Sequence, residues 1–569
     1  MLLTSGQHEG IAQSYLRKTV IDKGLILINT RLTPAALMVA LICGSFASAQ
    51  AVETFDSTPL SSSNDNLPVD LAEDLAVIGN SADDARIEAS KVSPSAQLAA
   101  DANEKRWLGA TIELTTVLGL GALLYKAGSD SMEDDYDYEI EGDTSKFFYD
   151  RLTNNESWKY DDNDIGMNWG HAYAGALYYQ AFRNHGFNYY ESTLGTFFAS
   201  TVWEVFAEYK EVVSINDQIV TTWGGAVLGE SLFQFSEMLA TKDGWIPATL
   251  GWVFNPSQTI RGWFDYASPP RFNRSKAQDE FSLYTGARYS SKALTDVNTT
   301  MVTLGMKASI DSRAGHYDTL SGTPTLVEMD METAVSQEGV EEWQMSTQLL
   351  LGGYASSLQS DSLLADTWSH SFYIGPSTGM EYTSLGVELD EDFYAVVNLL
   401  GLSLGGTWST QDINIEVRSD IFGDFAMVKP FATKDYLSQG RYFWGTKSVL
   451  WEGEYGYAWG HTFNLSLEAS YRDLLLGVKF KSQRWDSIDD KEYERTPGWN
   501  PNINDLNFSD TRDRYQVYLS YAFNEDISLG LHHERIDRSG EIQGIDNPAI
   551  YSRLDDTEQR TWLQLAFHY

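Results

Sequence analysis

Cysteine is nearly missing from this chain: there is one, Cys43, in 569 residues. Neither an internal disulfide framework nor a thiolate zinc cluster is available to it. Basic residues are also scarce, 40 Lys and Arg against 80 Asp and Glu, giving a formal net charge of -40. Phosphate backbones would be repelled at long range, which sets nucleic acid aside as a partner. Long apolar runs are few. The mean hydropathy is -0.31, whereas each helical membrane crossing needs about 20 mostly apolar residues in a row. A multi-span helical membrane protein is excluded, and a hydrophobic content of 43% argues against wholesale disorder. What the chain does have is aromatic side chains, 13% of residues, which suits a β-barrel with interfacial girdles.

Near the N-terminus, Arg17, Lys18, Lys23 and Arg31 precede an apolar stretch closed by Ala47, Ser48 and Ala49. This layout predicts a cleaved secretory signal peptide over residues 1–49, with its apolar core set so far from Met1 that translation is expected to start downstream. Ile42 before Cys43 makes a poor lipoprotein site. Without residues 1–49 the chain holds no thiol, which avoids wrong disulfides in an oxidising compartment. Residues 50–106, rich in Ser, Asp, Asn and Ala, read as a flexible acidic linker.

Residues 107–164 combine an apolar segment with an acidic loop. Glu113 interrupts the apolar part, and Gly119 and Gly121 weaken it as a helix. A buried helix or a first strand is expected there. The run Asp161-Asp162-Asn163-Asp164 reads as a solvated loop, since its spacing does not match an EF-hand.

Residues 165–271 form a predicted helical domain. Phe198, Val202, Val205, Phe206 and Tyr209 recur at helical spacing, with Ser200, Glu204, Glu208 and Glu211 on the opposite side. After Gly224-Gly225 a second amphipathic segment puts Leu228, Leu232, Phe235 and Leu239 on one face and Glu230, Gln234 and Glu237 on the other. The glycines Gly224, Gly225 and Gly229 are expected to permit close helix packing.

From residue 272 to 569 the period changes to two. Val302, Leu304, Met306, Ala308 and Ile310 alternate with Thr303, Gly305, Lys307 and Ser309, and the same pattern recurs around Leu465 and Val517. The chain ends with apolar side chains at every second place up to Tyr569. Such an ending resembles the last strand of bacterial outer-membrane proteins, which implies recognition by the barrel-assembly machinery. The expected fold is a mainly β membrane protein: an antiparallel outer-membrane β-barrel of about 12 strands, with the helical module as a plug or periplasmic cap. Residues 485–514 are expected to be an external loop.

The helical region carries ordered motifs: Asn168-Trp169-Gly170-His171, Tyr178, Arg183, Trp203-Glu204 with Glu208, Ser214-Ile215-Asn216-Asp217, Gly224-Gly225 and Gly229-Glu230. In these it resembles a bacterial envelope-protein domain of unknown function, met mostly in Gram-negative genomes and often joined to a β-rich C-terminal region. The resemblance covers about residues 161–271 and implies architecture and a candidate site, not a reaction.

Glu204 and Glu208 lie one helical turn apart, and like charges so placed oppose the helix by a few tenths of a kcal/mol. A cation, a proton or a partner would relieve this, as would a simple wet face. His171 reads as a base or as a metal ligand beside Glu204, Glu208 or Asp217, or as a polar residue bonded to its loop. Those four are the candidate catalytic residues, with Tyr178, Arg183, Trp203, Asn216 and Glu230 as binding candidates. Trp203 is either packing or an apolar wall that raises a carboxyl pKa. Ser214, Asn216 and Asp217 also suit a helix cap. There is no Gly-x-Ser-x-Gly elbow, His-Glu-x-x-His pair, phosphate loop or Rossmann fingerprint.

The first functional expectation is an outer-membrane barrel with a helical plug or docking module, serving envelope transport or maintenance among outer-membrane lipids and an envelope protein partner. Glu328, Asp330, Glu332 and Glu468 would make its lumen acidic and favour cations. The alternative is a membrane-embedded enzyme acting on lipid or another envelope substrate through a His/Glu acid–base or metal site. A third is an envelope scaffold.

Overall fold

The computed structural model describes residues 105–131, 153, 158–161, 165–208, 213–258, 278–292, 297–313, 322–337, 339–358, 369–385, 392–443, 449, 454–488 and 505–569. The expected signal peptide, nearly all of the expected acidic linker, Asp162, Asn163 and Asp164, and Tyr209 and Glu211 lie outside the described residues.

Glycine and small residues decide how the helical part packs. Helix α1 (Trp107–Ser131) lies on α2 (Ile165–Arg183), which is followed by α3 (Tyr189–Val202); two short strands, β1 (Trp158–Lys159) before α2 and β2 (Val213–Ser214) after α3, pair in parallel. Then come α4 (Ile215–Ile219), α5 (Gly225–Leu239) and α6 (Trp245–Phe254). The helix α2 crosses α5 nearly backbone to backbone: a Cβ on Gly225 would fall 2.6 Å from Gly175 Cα. All fifteen residues of α5 are buried, so its polar side, expected to face water, is covered as well. The apolar segment at the start of the module is a helix, yet Leu108, Ile112, Leu120 and Leu123 are exposed rather than buried.

The alternating half closes on itself. Strands β3 (Gln278–Lys292), β4 (Val297–Asp311), β5 (Leu326–Val335) and β6 (Val340–Leu350) precede a short β7 (Tyr354–Leu358). Then follow β8 (Ser369–Leu385), β9 (Asp392–Ser409), β10 (Ile413–Val428), helix α7 (Thr433–Ser438) and β11 (Gly456–Tyr471). Strands β12 (Leu474–Ser487), β13 (Leu506–Ala522), β14 (Ile527–Gly544) and β15 (Tyr551–His568) complete the set. Every neighbour pair in this sheet is antiparallel; β15 pairs with β3, and β6 pairs with β8, so that twelve strands form a closed ring, with β7 continuing the line of β6 along the same edge of β8. Closure leaves no long free edge, which is how a sheet survives in a bilayer. Trp485–Ser487 and Leu506–Arg514 belong to β12 and β13 rather than to an external loop, with Trp485 paired to Asp510 and Asp486 to Ser509.

Parity then sorts the two faces. Val302, Leu304, Leu465, Leu476, Val517, Leu531 and Leu563 point outward and are exposed, an apolar belt of the kind that faces acyl chains. The other face is polar and filled. A continuous ion-pair chain crosses the lumen: Glu332 and Glu342 flank Arg288, Glu342 and Glu558 flank Arg560, Glu558 and Asp392 flank Arg538, and Asp392 and Asp510 flank Arg512. Above it the chain between β10 and β11 folds inward, with Phe431 under the Arg538 guanidinium at 4.9 Å and Tyr436 stacked on Phe443 at 4.7 Å. The expected acidic lumen is corrected accordingly. Glu328 pairs with Arg418, Asp330 with Lys307, Glu332 with Arg288 and Glu468 with Lys479.

The helical module is not in this lumen. Its apolar core continues into Met306, Met329, Met345, Leu349, Met380 and Val397. These share a face with the outward residues, two or four positions along the strands from Leu304 and Thr333. The Ser231 and Thr347 hydroxyls meet at 2.6 Å on that outer face. The polar lumen offers apolar helices no partner, whereas the outer wall does, so the plug position goes to residues 431–443 instead.

Candidate metal centre

Three separate segments of the module converge on one buried point. His171 sits a turn before Gly175 on α2, and the close crossing there lays it over the chain that follows β2: a Cβ on Gly175 would meet Thr221 O at 1.9 Å. Asp217 comes from α4, where the Ser214 hydroxyl caps the helix by accepting from Asp217 N at 3.0 Å. Glu204 and Glu208 come from the end of α3. That helix starts with a capping box between Asn188 and Glu191 and ends in a π-helical turn, Trp203–Ala207. A second π turn, Val220–Gly224, follows α4. Such turns are rare and often mark functional sites, because the extra residue re-aims side chains.

One ligand atom from each of His171, Glu204, Glu208 and Asp217 lies within 4.8 Å of all the others. The His171 Nε2 to Asp217 Oδ2 distance is 3.5 Å. Each carboxylate is held by a neighbour. Trp203 Nε1 donates to Glu208 at 2.7 Å, Ser214 N donates to Glu204 at 3.2 Å, and Asn216 Nδ2 donates to Asp217 at 3.2 Å. Glu204 and Asp217 are almost fully buried, which removes the wet-face alternative: the polar side of α3 points inward. Burial, then the charges of Asp161, Glu204 and Glu208, push the Asp217 carboxyl well up from its ordinary range. Burial, then Glu208 and Glu204, likewise raise the Tyr178 phenol, which keeps its proton.

Two partners escaped the sequence reading. Asp161 is buried, accepts from Asn216 Nδ2 at 2.8 Å and receives the Tyr457 hydroxyl at 3.4 Å. The signal was its place in an acidic run, which also describes a solvated loop. Tyr457 stands on the outward face of β11, so the centre lies where the module meets the barrel wall. Of the binding candidates, Trp203, Asn216 and Tyr178 surround the centre. Arg183 and Glu230 form their own buried pair at 2.8 Å, with Tyr179 donating to Glu230 at 2.6 Å and Phe233 under the guanidinium.

Three carboxylates and one imidazole make an oxygen-rich donor set for a divalent cation such as Zn²⁺, Mn²⁺ or Fe²⁺. Their combined negative charge, buried, needs a cation or bound protons to be tolerated.

No curated protein matches the chain. Among solved structures it is similar to NanC porin, at 12% identity over 49% of this chain and 98% of that one, with a TM-score of 0.21. Outer membrane phospholipase A from Escherichia coli is similar at 12% identity over 50% and 89%, TM-score 0.24. KdgM porin, in complex with disordered oligogalacturonate, is similar at 11% over 49% and 97%, TM-score 0.21. Residues 157–257, which hold all four candidate ligands, match a domain of unknown function, DUF3943.

Proposed function

We propose that this chain is an outer-membrane barrel protein whose helical module binds one divalent metal ion through His171, Glu204, Glu208 and Asp217. The barrel anchors that module in the membrane and does not serve as an open pore. The observation that carries the reading is the convergence of one imidazole and three carboxylates within 4.8 Å, from segments up to 46 positions apart in the chain (171 to 217). Support for the closed barrel comes from the ion pairs that cross the lumen. The expected signal peptide and the final apolar strand support residence in the outer membrane.

The test uses the full chain refolded in vesicles, stripped with a chelator and titrated with Zn²⁺ or Mn²⁺ by calorimetry. One equivalent should bind, and Glu204→Gln with Asp217→Asn should abolish it while the barrel stays folded. Absence of stoichiometric binding by either ion overturns the assignment.

An enzymatic role is the second reading, favoured by Tyr178, a buried phenol that keeps its proton beside Glu204 and Glu208 and could hold a substrate at the metal as a neutral hydrogen-bond donor. Its substrate would be a lipid or another envelope component. A Tyr178→Phe variant that keeps metal binding but loses metal-dependent hydrolysis of vesicle phospholipid would support it; no hydrolysis by the wild type removes it.

A further inference from the structure

The third helix of the chain is inside out. Ser192, Thr196 and Ser200 of α3 are buried, and Glu204 continues that stripe. On the opposite side Leu194, Phe198, Val202 and Phe206 are 56%, 59%, 45% and 63% exposed. In water the reverse arrangement holds, since exposing one such side chain costs roughly 1.5–3 kcal/mol relative to burying it. The exposed side of α1 repeats the pattern with Leu120 and Leu123. No charged residue falls between Glu191 and Glu204, or between Glu113 and Lys126.

Hydroxyls on these two helices are hidden in the way an apolar solvent demands. Thr111, Thr116, Thr193 and Thr201 each donate to the backbone carbonyl four residues earlier. Water would satisfy an exposed threonine; hydrocarbon does not.

The module also stands where lipid would stand. It covers Met306 and Ala308 on β4, while Leu304 and Val302, next along the same face, are exposed in the belt. No helix among the described residues is long and apolar enough to cross a membrane. A helix group held against that belt would meet a bilayer side-on, alongside the barrel.

We propose that the face formed by Leu194, Phe198, Val202 and Phe206, with the outer side of α1, is a lipid-contact surface that embeds the helical module among acyl chains next to the barrel wall. A second copy of the chain or a soluble partner is not its occupant. The proposal rests on the barrel reading but is independent of the metal ion.

The experiment places a nitroxide at Phe198→Cys in a Cys43→Ser background, in the full chain refolded in phosphatidylethanolamine/phosphatidylglycerol vesicles. Leu476→Cys on the belt and Asp555→Cys on the polar outer surface are the reference positions, and resistance of folded protein to unfolding in detergent confirms refolding. Leu194→Cys serves as a second probe position. Oxygen accessibility high and nickel-chelate accessibility low, as at Leu476, is the expected result. Nickel-chelate access equal to that at Asp555 overturns the proposal, and so does shielding from both reagents, which would mean a protein cover. Failure of Leu476 to behave as lipid-exposed would instead overturn the barrel reading itself.

Discussion

Ser231 on α5 and Thr347 on β6 share a hydrogen bond of 2.6 Å between their hydroxyls, both buried, and this contact fixes the helical module against the outside of the barrel. Thr347 sits between Met345 and Leu349 on the apolar face, where its hydroxyl also donates to Glu328 O at 2.9 Å.

Replacing both hydroxyl residues should cost less than the sum of the two single replacements. Ser231→Ala removes the shared bond but leaves the Thr347 hydroxyl on Glu328 O, so the loss should be about 0.5–1.5 kcal/mol. Thr347→Val should cost a similar amount, since Ser231 keeps Val227 O, and the double change should cost less than the two together. Urea unfolding of the module, followed by tryptophan fluorescence, measures the coupling; strictly additive losses would mean the contact is not formed.

A second expectation concerns the lumen. Asp392 stands between Arg512 at 2.7 Å and Arg538 at 2.9 Å. Asp392→Asn leaves two buried guanidinium groups short of their counter-ion and should destabilise the barrel by about 3–5 kcal/mol. The midpoint of heat-dependent mobility loss on gels reads the change. An unchanged midpoint would argue against a closed lumen.

Gly225→Ala probes the helix crossing. Its Cβ would fall 2.6 Å from Gly175 Cα and 3.1 Å from Ala176 N, backbone that cannot swing aside. Separation of α2 from α5 should cost about 1–3 kcal/mol and move His171 off Asp217. Loss of at least tenfold in metal affinity, with the barrel still folded, is the expected calorimetric outcome.

The start of α3 makes stability depend on pH. Burial pushes the Glu191 carboxyl up, but the hydrogen bond from Lys105, then Asn188 N and the Lys105 charge, together outweigh it and hold the group below its usual range. A lowered folded-state value gives stability that is present above the unfolded carboxylate range and lost as pH falls through it. Glu191→Gln should therefore lower the melting temperature at pH 7 and make little difference at pH 3. Equal effects at both pH values would assign the loss to capping geometry alone.

Much of this was legible in the residues. Strand parity around Val302, Leu465 and Val517 follows from side-chain alternation, and the ring of twelve follows from chain length at ~10 residues per strand with its turns. The four converging side chains were nameable because Glu204 and Glu208 are spaced one helical turn apart and His171 and Asp217 fall in ordered polar motifs, although His171 lies within α2 (Ile165–Arg183) rather than at a helix start. What stayed hidden has a common cause. Periodicity separates two faces of a helix but does not say which one meets hydrocarbon, so Phe198 and Phe206 read only as one face of the helix and Glu204 as part of the other, with a wet face left open there. Asp161 was equally opaque, since its partner Asn216 is 55 positions away and the link runs through a two-residue parallel strand pair.

The complete burial of α5 between its sister helices and the strand wall has a consequence for folding. The wall it packs on is built from β4, β5, β6, β8 and β9, strands that follow the module in the chain and present that face only once they are paired. The module's native packing therefore depends on chain that comes after it.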